Sequence, residues 1–192
     1  MKTIALRRAT LADAAAIGAV HVESWRETYS GLLPDSMLAE LSVERWGAMW
    51  EDLLGDPGTA EKMAILVGED EGRVVGIGGC GPQRDEALAK SGFTGEFGMI
   101  YVLRSHQGRG LGRSIMASLA GSLAKLGHEK ASLWVFRENE RARRFYERLG
   151  GKIVGEKAGE RDGTVLVDLA FGWTDLSRLA AACGPGQVAP GR

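Results

Sequence analysis

The sequence feature that most constrains the fold is an apolar segment followed by a glycine-rich turn and an amphipathic segment. Residues 96–103 read EFGMIYVL, residues 105–116 read SHQGRGLGRSIM, and apolar residues then recur at helical spacing as far as Leu126. A second apolar segment, ASLWVF at residues 131–136, follows shortly afterwards. This order predicts a strand, a helix and a second, buried strand as one continuous unit.

The other strands are predicted to form a mostly antiparallel sheet. Residues 63–68 and 73–80 are apolar segments separated by the turn EDEG, and this spacing indicates a hairpin. Residues 2–8 provide an opening strand, and residues 153–154 and 164–171 provide two closing strands around the turn RDG. Together with the strand–helix–strand unit, this order of elements indicates an α+β fold.

Helix start signals occur at several places along the chain. Thr10 is a suitable N-cap with Asp13 in the first turn behind it, and Asn139 is a suitable N-cap for a second crossover helix. Two further helices are predicted, a short one from Pro34 and a longer one over residues 43–54.

Length and charge narrow the function classes. The 192 residues carry a net charge of −1, so the protein as a whole has no electrostatic attraction for nucleic acid. No apolar stretch approaches the ~18 residues of a membrane helix, so we expect a cytoplasmic protein with no membrane partner. We expect a single domain over residues 1–183 and a disordered tail over residues 184–192. Cys80, Cys183 and the three histidines show no metal-ligand spacing, so no metal site is expected.

Two glycine-rich segments raise the question of a nucleotide site. Residues 76–81 read GIGGCG and match the dinucleotide pattern GxGxxG, with Glu96 twenty residues after the first glycine. However, Pro82 follows directly, and the preceding strand is the second arm of a hairpin, so the context of a crossover helix is missing. We therefore interpret these glycines as a bulge or as positions where another backbone passes closely.

The glycine-rich turn after residue 103 is the better anion site. Its glycines alternate with other residues where the helix begins: Gly108, Gly110 and Gly112. Because the first N–H groups of a helix are free, an oxyanion can approach them here without meeting a Cβ atom. This pattern indicates a phosphate or pyrophosphate ligand, and a glycine-rich turn with solvated arginines is the alternative.

Several motifs occur together and in one order along the chain. EFGMIYVL is followed by QGRGLG at residues 107–112 and by NERARRFYERLG at residues 139–150. In that order they resemble the fourth strand, the pyrophosphate motif Q/R-x-x-G-x-G/A and the N-x-x-A-x-x-F-Y-x-x-x-G segment of the GNAT superfamily, the acetyl-CoA-dependent N-acetyltransferases. Residues 6–34 resemble the N-terminal helices of many bacterial members. The resemblance implies a GNAT-like fold, a mostly antiparallel mixed sheet with splayed fourth and fifth strands and helices on both faces.

The resemblance also implies a site for acetyl-CoA as co-substrate. The N–H groups of residues 108–113 would hold the pyrophosphate, and backbone groups of Ile100 and Val102 would pair with the pantetheine arm. A backbone N–H near Ile100 or Tyr101 would stabilise the oxyanion. The expected cofactor-binding residues are Ile100, Tyr101, Val102, Gln107, Gly108, Arg109, Gly110, Leu111, Gly112, Arg113 and Asn139.

Two catalytic residues and an acceptor pocket follow from the same resemblance. Tyr146 would protonate the departing CoA thiolate, and Glu96 would act through water as the base for the amine. Without the resemblance, Tyr146 reads as a core tyrosine and Glu96 as a solvated or paired carboxylate. Trp25 and Tyr29 share one helix face, Asp85 lies in the loop before the catalytic strand, and these three are the expected substrate-binding residues.

The function that the resemblance implies is direct transfer of an acetyl group from acetyl-CoA to an amine in a ternary complex. The acceptor would be a small-molecule amine, a peptide N-terminus or a lysine side chain, and a homodimer is one possible assembly. Neither cysteine has a base partner in the sequence, so an acetyl-cysteine intermediate is not expected. The alternatives are a non-catalytic acyl-CoA-binding or regulatory domain and, more distantly, a nucleotide-dependent oxidoreductase that uses residues 76–81.

Overall fold

The computed structural model describes residues 4–161, 163–182 and 188–189. The strands within these residues are β1 (Ala5–Arg8), β2 (Ala64–Asp70), β3 (Arg73–Pro82), β4 (Gly95–Val102), β5 (Ala131–Phe136), β6 (Lys152–Arg161), β7 (Thr164–Trp173) and β8 (Val188–Ala189). The helices are α1 (Ala14–Tyr29), α2 (Asp35–Ala39), α3 (Val43–Gly55), α4 (Pro57–Lys62), α5 (Glu86–Lys90), α6 (Leu111–Lys125), α7 (Glu140–Arg148) and α8 (Leu176–Ala182). The strands form one mixed sheet in the order β6-β7-β5-β4-β3-β2-β1-β8.

Most predicted elements are confirmed, and the differences lie in short helices and in β6, which was predicted over residues 153–154 and extends over Lys152–Arg161. Thr10 and Asp13 form the predicted capping box, although a 3-10 turn precedes α1. The residues after Asp56, for which no helix was predicted, begin α4, because Pro57 suits the first helical turn and Asp56 caps it. Helix α5 lies within the predicted polar loop, and α8 was not predicted.

The predicted disordered tail, residues 184–192, lies outside the described residues except for residues 188–189. Those two residues form β8 and pair in parallel with Leu6 and Arg7 of β1. Disorder is therefore the wrong description for them, because their backbone adds a short strand to the edge of the sheet.

The sheet separates between β4 and β5. These strands are parallel and pair only through Gly95 with Ala131 and Glu96 with Ser132. By contrast, β5 pairs with β7 along its whole length, from Ala131 to Phe136. This confirms the predicted splay and leaves a gap in the middle of the sheet.

Helices cover both faces of the sheet, as predicted. Helices α6 and α8 pack together over one face, while α1 and α3 pack together over the other. Leu111 and Ile115 of α6 lie so close to β3 that a Cβ added at Gly76 or Gly78 would be 2.7 or 2.3 Å from their side chains. This close approach accounts for Gly76 and Gly78, while a Cβ on Gly79 or Gly81 would meet Met99 or Met63 at 2.8 or 2.9 Å.

We expect Gly78→Ala to lower the free energy of unfolding by about 2 kcal/mol, because the buried Ile115 must shift to admit a methyl group. Urea denaturation measures this difference through the tryptophan fluorescence. Gly159→Ala is the matched control, since a Cβ on Gly159 of β6 would meet no described atom within 4 Å. Equal midpoints for the two variants would contradict the expectation.

Candidate active site

A cavity of about 420 Å³ runs through the gap between β4 and β5. Its walls come from both strands, from the beginning of α6, from α7 along its length, and from the second half of α1. The lining residues are Ser24, Thr28, Tyr29, Phe97, Gly98, Met99, Ile100, Tyr101, Val102, Gln107, Gly108, Gly110, Gly112, Arg113, Leu133, Trp134, Val135, Asn139, Arg141, Ala142, Phe145, Tyr146, Arg148 and Leu149. The splay therefore connects the two faces of the sheet through one opening.

The backbone of β4 directs alternate polar groups into this gap. Leu103 N–H donates to Val75 of β3 at 3.0 Å, and N–H groups on one strand edge alternate with those on the other. Tyr101 therefore turns its N–H towards β3, whereas Ile100 and Val102 turn theirs towards the gap. The prediction that Tyr101 supplies an oxyanion N–H is wrong for this reason, and Ile100 keeps that role as a prediction.

Tyr101 borders the cavity, and so does Gln107, which shapes the end of β4. The carbonyl of Val102 accepts a hydrogen bond from Gln107 Nε2 at 2.7 Å, so that Gln107 ties the glycine-rich turn to the end of β4. The other amide atom of Gln107, Oε1, is buried with no partner among the described residues.

The glycine-rich turn presents an open backbone to the cavity. Gly108 and Gly110 have φ values of 75° and 88°, in the left-handed region that favours glycine. A Cβ added at either position would meet no described atom within 4 Å, so these glycines face open space. Gly110 is also the N-cap of α6, whose free N–H groups suit an oxyanion. The turn thus has the shape and polarity that a pyrophosphate requires.

The side chains of Arg109 and Leu111 do not reach the cavity. Arg109 Nη1 lies 3.1 Å from the carboxylate of Asp70, which also contacts His106. Leu111 is buried in the core against Gly68 and Gly76. These two predicted cofactor residues can therefore contribute only backbone groups, whereas Arg113 borders the cavity.

Tyr146 lies on the buried face of α7 and borders the cavity. Its ring packs edge-on against Trp173 and next to Phe145. Burial raises the pKa of its hydroxyl above the ordinary value for tyrosine. Tyr146 is therefore protonated at neutral pH, and its role as a proton donor stays a prediction.

Asn139 connects the beginning of α7 with the end of α1. Its Oδ1 accepts a hydrogen bond from the N–H of Ala142 at 3.1 Å, as expected of an N-cap. Its amide also bonds to the hydroxyl of Tyr29, and this bond acts against the burial that raises the pKa of Tyr29. Asn139 and Tyr29 therefore link the beginning of α7 to the end of α1 at the cavity wall.

Only one of the two aromatic residues predicted to bind substrate borders the cavity. Tyr29 lines it, whereas Trp25 packs behind. The indole N–H of Trp25 donates to the hydroxyl of Tyr101 at 2.9 Å, and its ring contacts Tyr29 edge-on. Trp25 therefore positions the tyrosines without contacting the cavity itself.

The carboxylate of Glu96 is engaged by Arg84. Arg84 donates to Glu96 from its backbone N–H and from Nε at 3.0 Å, and from Nη2 at 2.5 Å. Glu96 is buried and does not belong to the cavity wall. Because Arg84 engages both carboxylate oxygens, the geometry favours a structural ion pair over the predicted base.

Asp85 is not a pocket residue. Its carboxylate accepts hydrogen bonds from the N–H groups of Ala87 and Leu88 and so caps α5. The predicted contact between Asp85 and a substrate is therefore wrong, because the side chain is turned back towards its own helix.

The sequence did not identify the basic residues that reach the cavity from α7. Arg141 and Arg148 border it, while Arg143 donates to the carbonyl of Arg137 and Arg144 pairs with Glu140. Arg148 follows Arg141 by seven positions, which places both on one face of the helix with Phe145. That spacing is a sequence signal that could have found them.

The described part of the chain shows neither a metal-binding cluster nor a membrane-spanning helix. Over residues 4–161, 163–182 and 188–189, no group of three or more His, Cys, Asp or Glu side chains could hold a metal ion. Within the same ranges, no helix is both long enough and apolar enough to cross a membrane.

Comparison with known proteins places this geometry in a family. Residues 22–151 match the model of the acetyltransferase (GNAT) family. An uncharacterized N-acetyltransferase of Bacillus subtilis, YuaI, is 32% identical over 177 residues, which cover 92% of this chain and 96% of YuaI.

Solved structures show the same fold. The PaiA N-acetyltransferase of Thermoplasma acidophilum, in complex with coenzyme A, aligns with a TM-score of 0.72 at 17% identity and covers 90% of this chain and 99% of its own. YncA of Salmonella typhimurium, a putative acetyltransferase with its cofactor acetyl-CoA, aligns with a TM-score of 0.68 at 22% identity and covers 90% and 94%. The match to the family model extends over more than half of the sequence and includes the splayed strands and both glycine-rich segments, and the chain belongs to the GNAT family of acetyltransferases.

Proposed function

We propose that this protein transfers an acetyl group from acetyl-CoA directly to an amine in a ternary complex. The observation that carries the proposal is the cavity through the sheet, which has open helix N–H groups at one end and Ser24 and Tyr29 at the other. Two substrates that enter from opposite faces would meet between β4 and β5. A direct transfer needs this arrangement. Cys80 is a poor nucleophile for an acetyl-cysteine intermediate, because it is buried and burial raises the pKa of its thiol to about 12.

The cofactor end of the cavity suits coenzyme A. The N–H groups of residues 108–113 would bind the pyrophosphate, and the gap-facing backbone groups of Ile100 and Val102 would pair with the pantetheine amides. The cavity arginines on α6 and α7 would supply charge-assisted contacts to phosphate: Arg113, Arg141 and Arg148. The PaiA and YncA structures, which contain coenzyme A and acetyl-CoA, support this assignment.

The chemistry then rests on two groups in the gap. Acetyl-CoA supplies a thioester carbon that the neutral amine attacks, so that a C–N bond forms and the C–S bond breaks. The N–H of Ile100 would stabilise the negative charge on the carbonyl oxygen. Tyr146 would give its proton to the sulfur of the departing thiolate, and the proton that the attacking nitrogen loses would pass through solvent water and restore the hydroxyl of Tyr146. The amine acceptor is a small molecule, a peptide N-terminus or a lysine side chain.

We expect Glu96→Gln to lower the free energy of unfolding by about 1–3 kcal/mol, because it weakens the hydrogen bonds that Arg84 makes to a buried carboxylate. Turnover at saturating amine should change by less than about threefold, since the carboxylate does not border the cavity. Urea denaturation and steady-state rates measure the two effects. A large loss of turnover at neutral pH that is recovered at high pH would return Glu96 to the role of base.

The function is tested by thermal unfolding with acetyl-CoA, CoA or NADH, followed by release of free thiol in the presence of amines. A ligand that binds only the folded protein stabilises it by about 2.7 kcal/mol at a hundredfold excess over its Kd. We expect stabilisation by both CoA species and none by NADH, and thiol release only when an amine is present. Stabilisation without thiol release for any amine would instead indicate a non-catalytic CoA-binding domain.

A further inference from the structure

The glycine-rich turn at the cofactor end of the cavity is anchored on both sides of its two left-handed glycines. Before them, Gln107 Nε2 donates to the carbonyl of Val102. After them, the side chain of Leu111 is buried against the hairpin of β2 and β3. Between these anchors, Gly108 and Gly110 have positive φ values, and a Cβ on either would meet no described atom within 4 Å. Packing around their Cα atoms therefore does not hold the two glycines in place.

Asp70, the last residue of β2, supplies contacts to this middle part of the turn. Its Oδ2 atom accepts a hydrogen bond from Arg109 Nη1 at 3.1 Å, and His106 Nε2 lies 3.4 Å from the same atom. The side chain of Asp70 is only 15% exposed, so these two side chains cover it. On the other edge of the His106 ring, Nδ1 lies 2.8 Å from the hydroxyl oxygen of Ser105. One carboxylate of the sheet thus contacts a residue on each side of Gly108.

The charge of Asp70 does not explain its place beside an anion site. A carboxylate near the beginning of α6 repels a pyrophosphate, and it also engages the positive charge of Arg109, which a phosphate could use. Restraint of the turn acts in the opposite direction. Ordering a glycine-rich segment costs conformational entropy, and a segment that is already ordered does not add this cost to binding. What Asp70 can contribute to binding is therefore the conformation of the turn.

We propose that Asp70 is a positioning residue, which holds the backbone of residues 106–110 in the conformation that presents its N–H groups to the pyrophosphate of CoA. The inference rests on the proposed function, because it requires CoA to occupy this turn. Asp70 does not border the cavity, so it acts through His106 and Arg109. Neutralising Asp70 should weaken CoA binding if its role is position, and strengthen CoA binding if only its charge matters.

Fluorescence titration with CoA tests the inference through two substitutions of opposite charge. Asp70→Asn and Arg109→Gln both break the ion pair, so both should raise the Kd for CoA by about three- to tenfold, the factor expected when a loop must become ordered at binding. In the double variant, the second substitution should change the Kd by less than about twofold, because the contact is already lost. The KM for acetyl-CoA should rise by the same factor in Asp70→Asn, while turnover at saturating acetyl-CoA stays within about twofold. A Kd that is unchanged or lowered in Asp70→Asn would overturn the inference.

Arg73→Gln is the matched control. Arg73 is exposed and pairs with Asp70 in the register of β2 and β3, so its substitution removes a charge from the same hairpin and keeps the contact between Asp70 and Arg109. Its Kd for CoA should equal that of the unmodified protein, and a rise as large as that of Arg109→Gln would overturn the inference.

A second ligand shows which part of CoA the turn acts on. Dephospho-CoA keeps the pyrophosphate and lacks the 3′-phosphate, so Asp70→Asn should weaken its binding by the same factor as that of CoA. A loss confined to CoA would overturn the inference, because the effect would then lie at the 3′-phosphate. If neither CoA nor acetyl-CoA binds the unmodified protein, the proposed function and this inference fail together. If both bind and Asp70→Asn does not raise the Kd, only this inference fails.

Discussion

Replacement of Tyr146 by phenylalanine is expected to lower turnover about 100-fold or more and to leave the affinity for acetyl-CoA nearly unchanged. The phenylalanine ring keeps the contacts with Phe145, Phe171 and Trp173, so the change removes only the hydroxyl group. Because burial raises its pKa, that hydroxyl holds its proton at neutral pH until a thiolate forms beside it. Single-turnover rates and acetyl-CoA titrations followed by fluorescence measure the two quantities.

The control for Tyr146→Phe is its thermal unfolding with and without CoA, which should match that of the unmodified protein. Equal ligand stabilisation with a large loss of turnover identifies a role in the chemical step. Turnover within about threefold of the original value would remove Tyr146 from the mechanism.

Acidification from pH 7 to pH 4 is expected to remove about 3 kcal/mol of folding free energy through His21 alone. His21 is buried among Trp46, Trp50 and Tyr101, and neither ring nitrogen has a partner among the described residues. Burial lowers its pKa from 6.5 to about 4. The unfolded chain therefore binds a proton near pH 6.5 that the folded protein binds only near pH 4.

The sign follows from that difference. The contribution of His21 is fully present above pH 6.5, is lost as the pH falls from 6.5 to about 4, and is constant below that range. Asp13, whose pKa is lowered from 3.8 to about 2 chiefly by its hydrogen bond to Arg7, acts below this window. Denaturation at several pH values should give a flatter profile for His21→Leu between pH 6.5 and 4. A profile as steep as that of the unmodified protein would contradict the expectation.

His128→Gln is the matched control for that experiment. Burial lowers the pKa of His128 as well, but its ring is only partly buried and contacts the hydroxyl of Thr94. Its replacement should therefore remove a smaller part of the pH dependence than replacement of His21.

Local signals predicted much of the fold and of the cofactor end of the site. Asn139 was predicted as an N-cap because a short polar side chain before an amphipathic segment can accept a hydrogen bond from the first turn of a helix. The structure shows this cap. Gly108 and Gly110 adopt positive φ values, which glycine spacing before a helix already indicates. These features depend on residues close in sequence, so the sequence contains what is needed to find them.

The acceptor end depends on contacts between distant residues, and the sequence alone did not predict it. Glu96 was predicted as a base from the family resemblance, but its partner Arg84 comes from the loop that follows β3. Lys157 of β6 reaches the ring of Trp134 on β5 across β7, which lies between their strands. No local sequence pattern indicates such contacts, since they follow from the order of the strands in the sheet and from the direction of the side chains.

The brief pairing of β4 with β5 has a consequence for the cohesion of the whole protein. Only two residue pairs join the half-sheet of β8 and β1–β4 to that of β5–β7, although side chains such as Gln83, which donates to Ser132 at 2.7 Å, also connect them. A pantetheine arm hydrogen-bonded to the backbone of Ile100 and Val102 would act as an additional strand that connects the two halves. When the ligand binds, the two halves should separate only together with its release. Amide hydrogen exchange that depends on this separation should therefore slow in both halves.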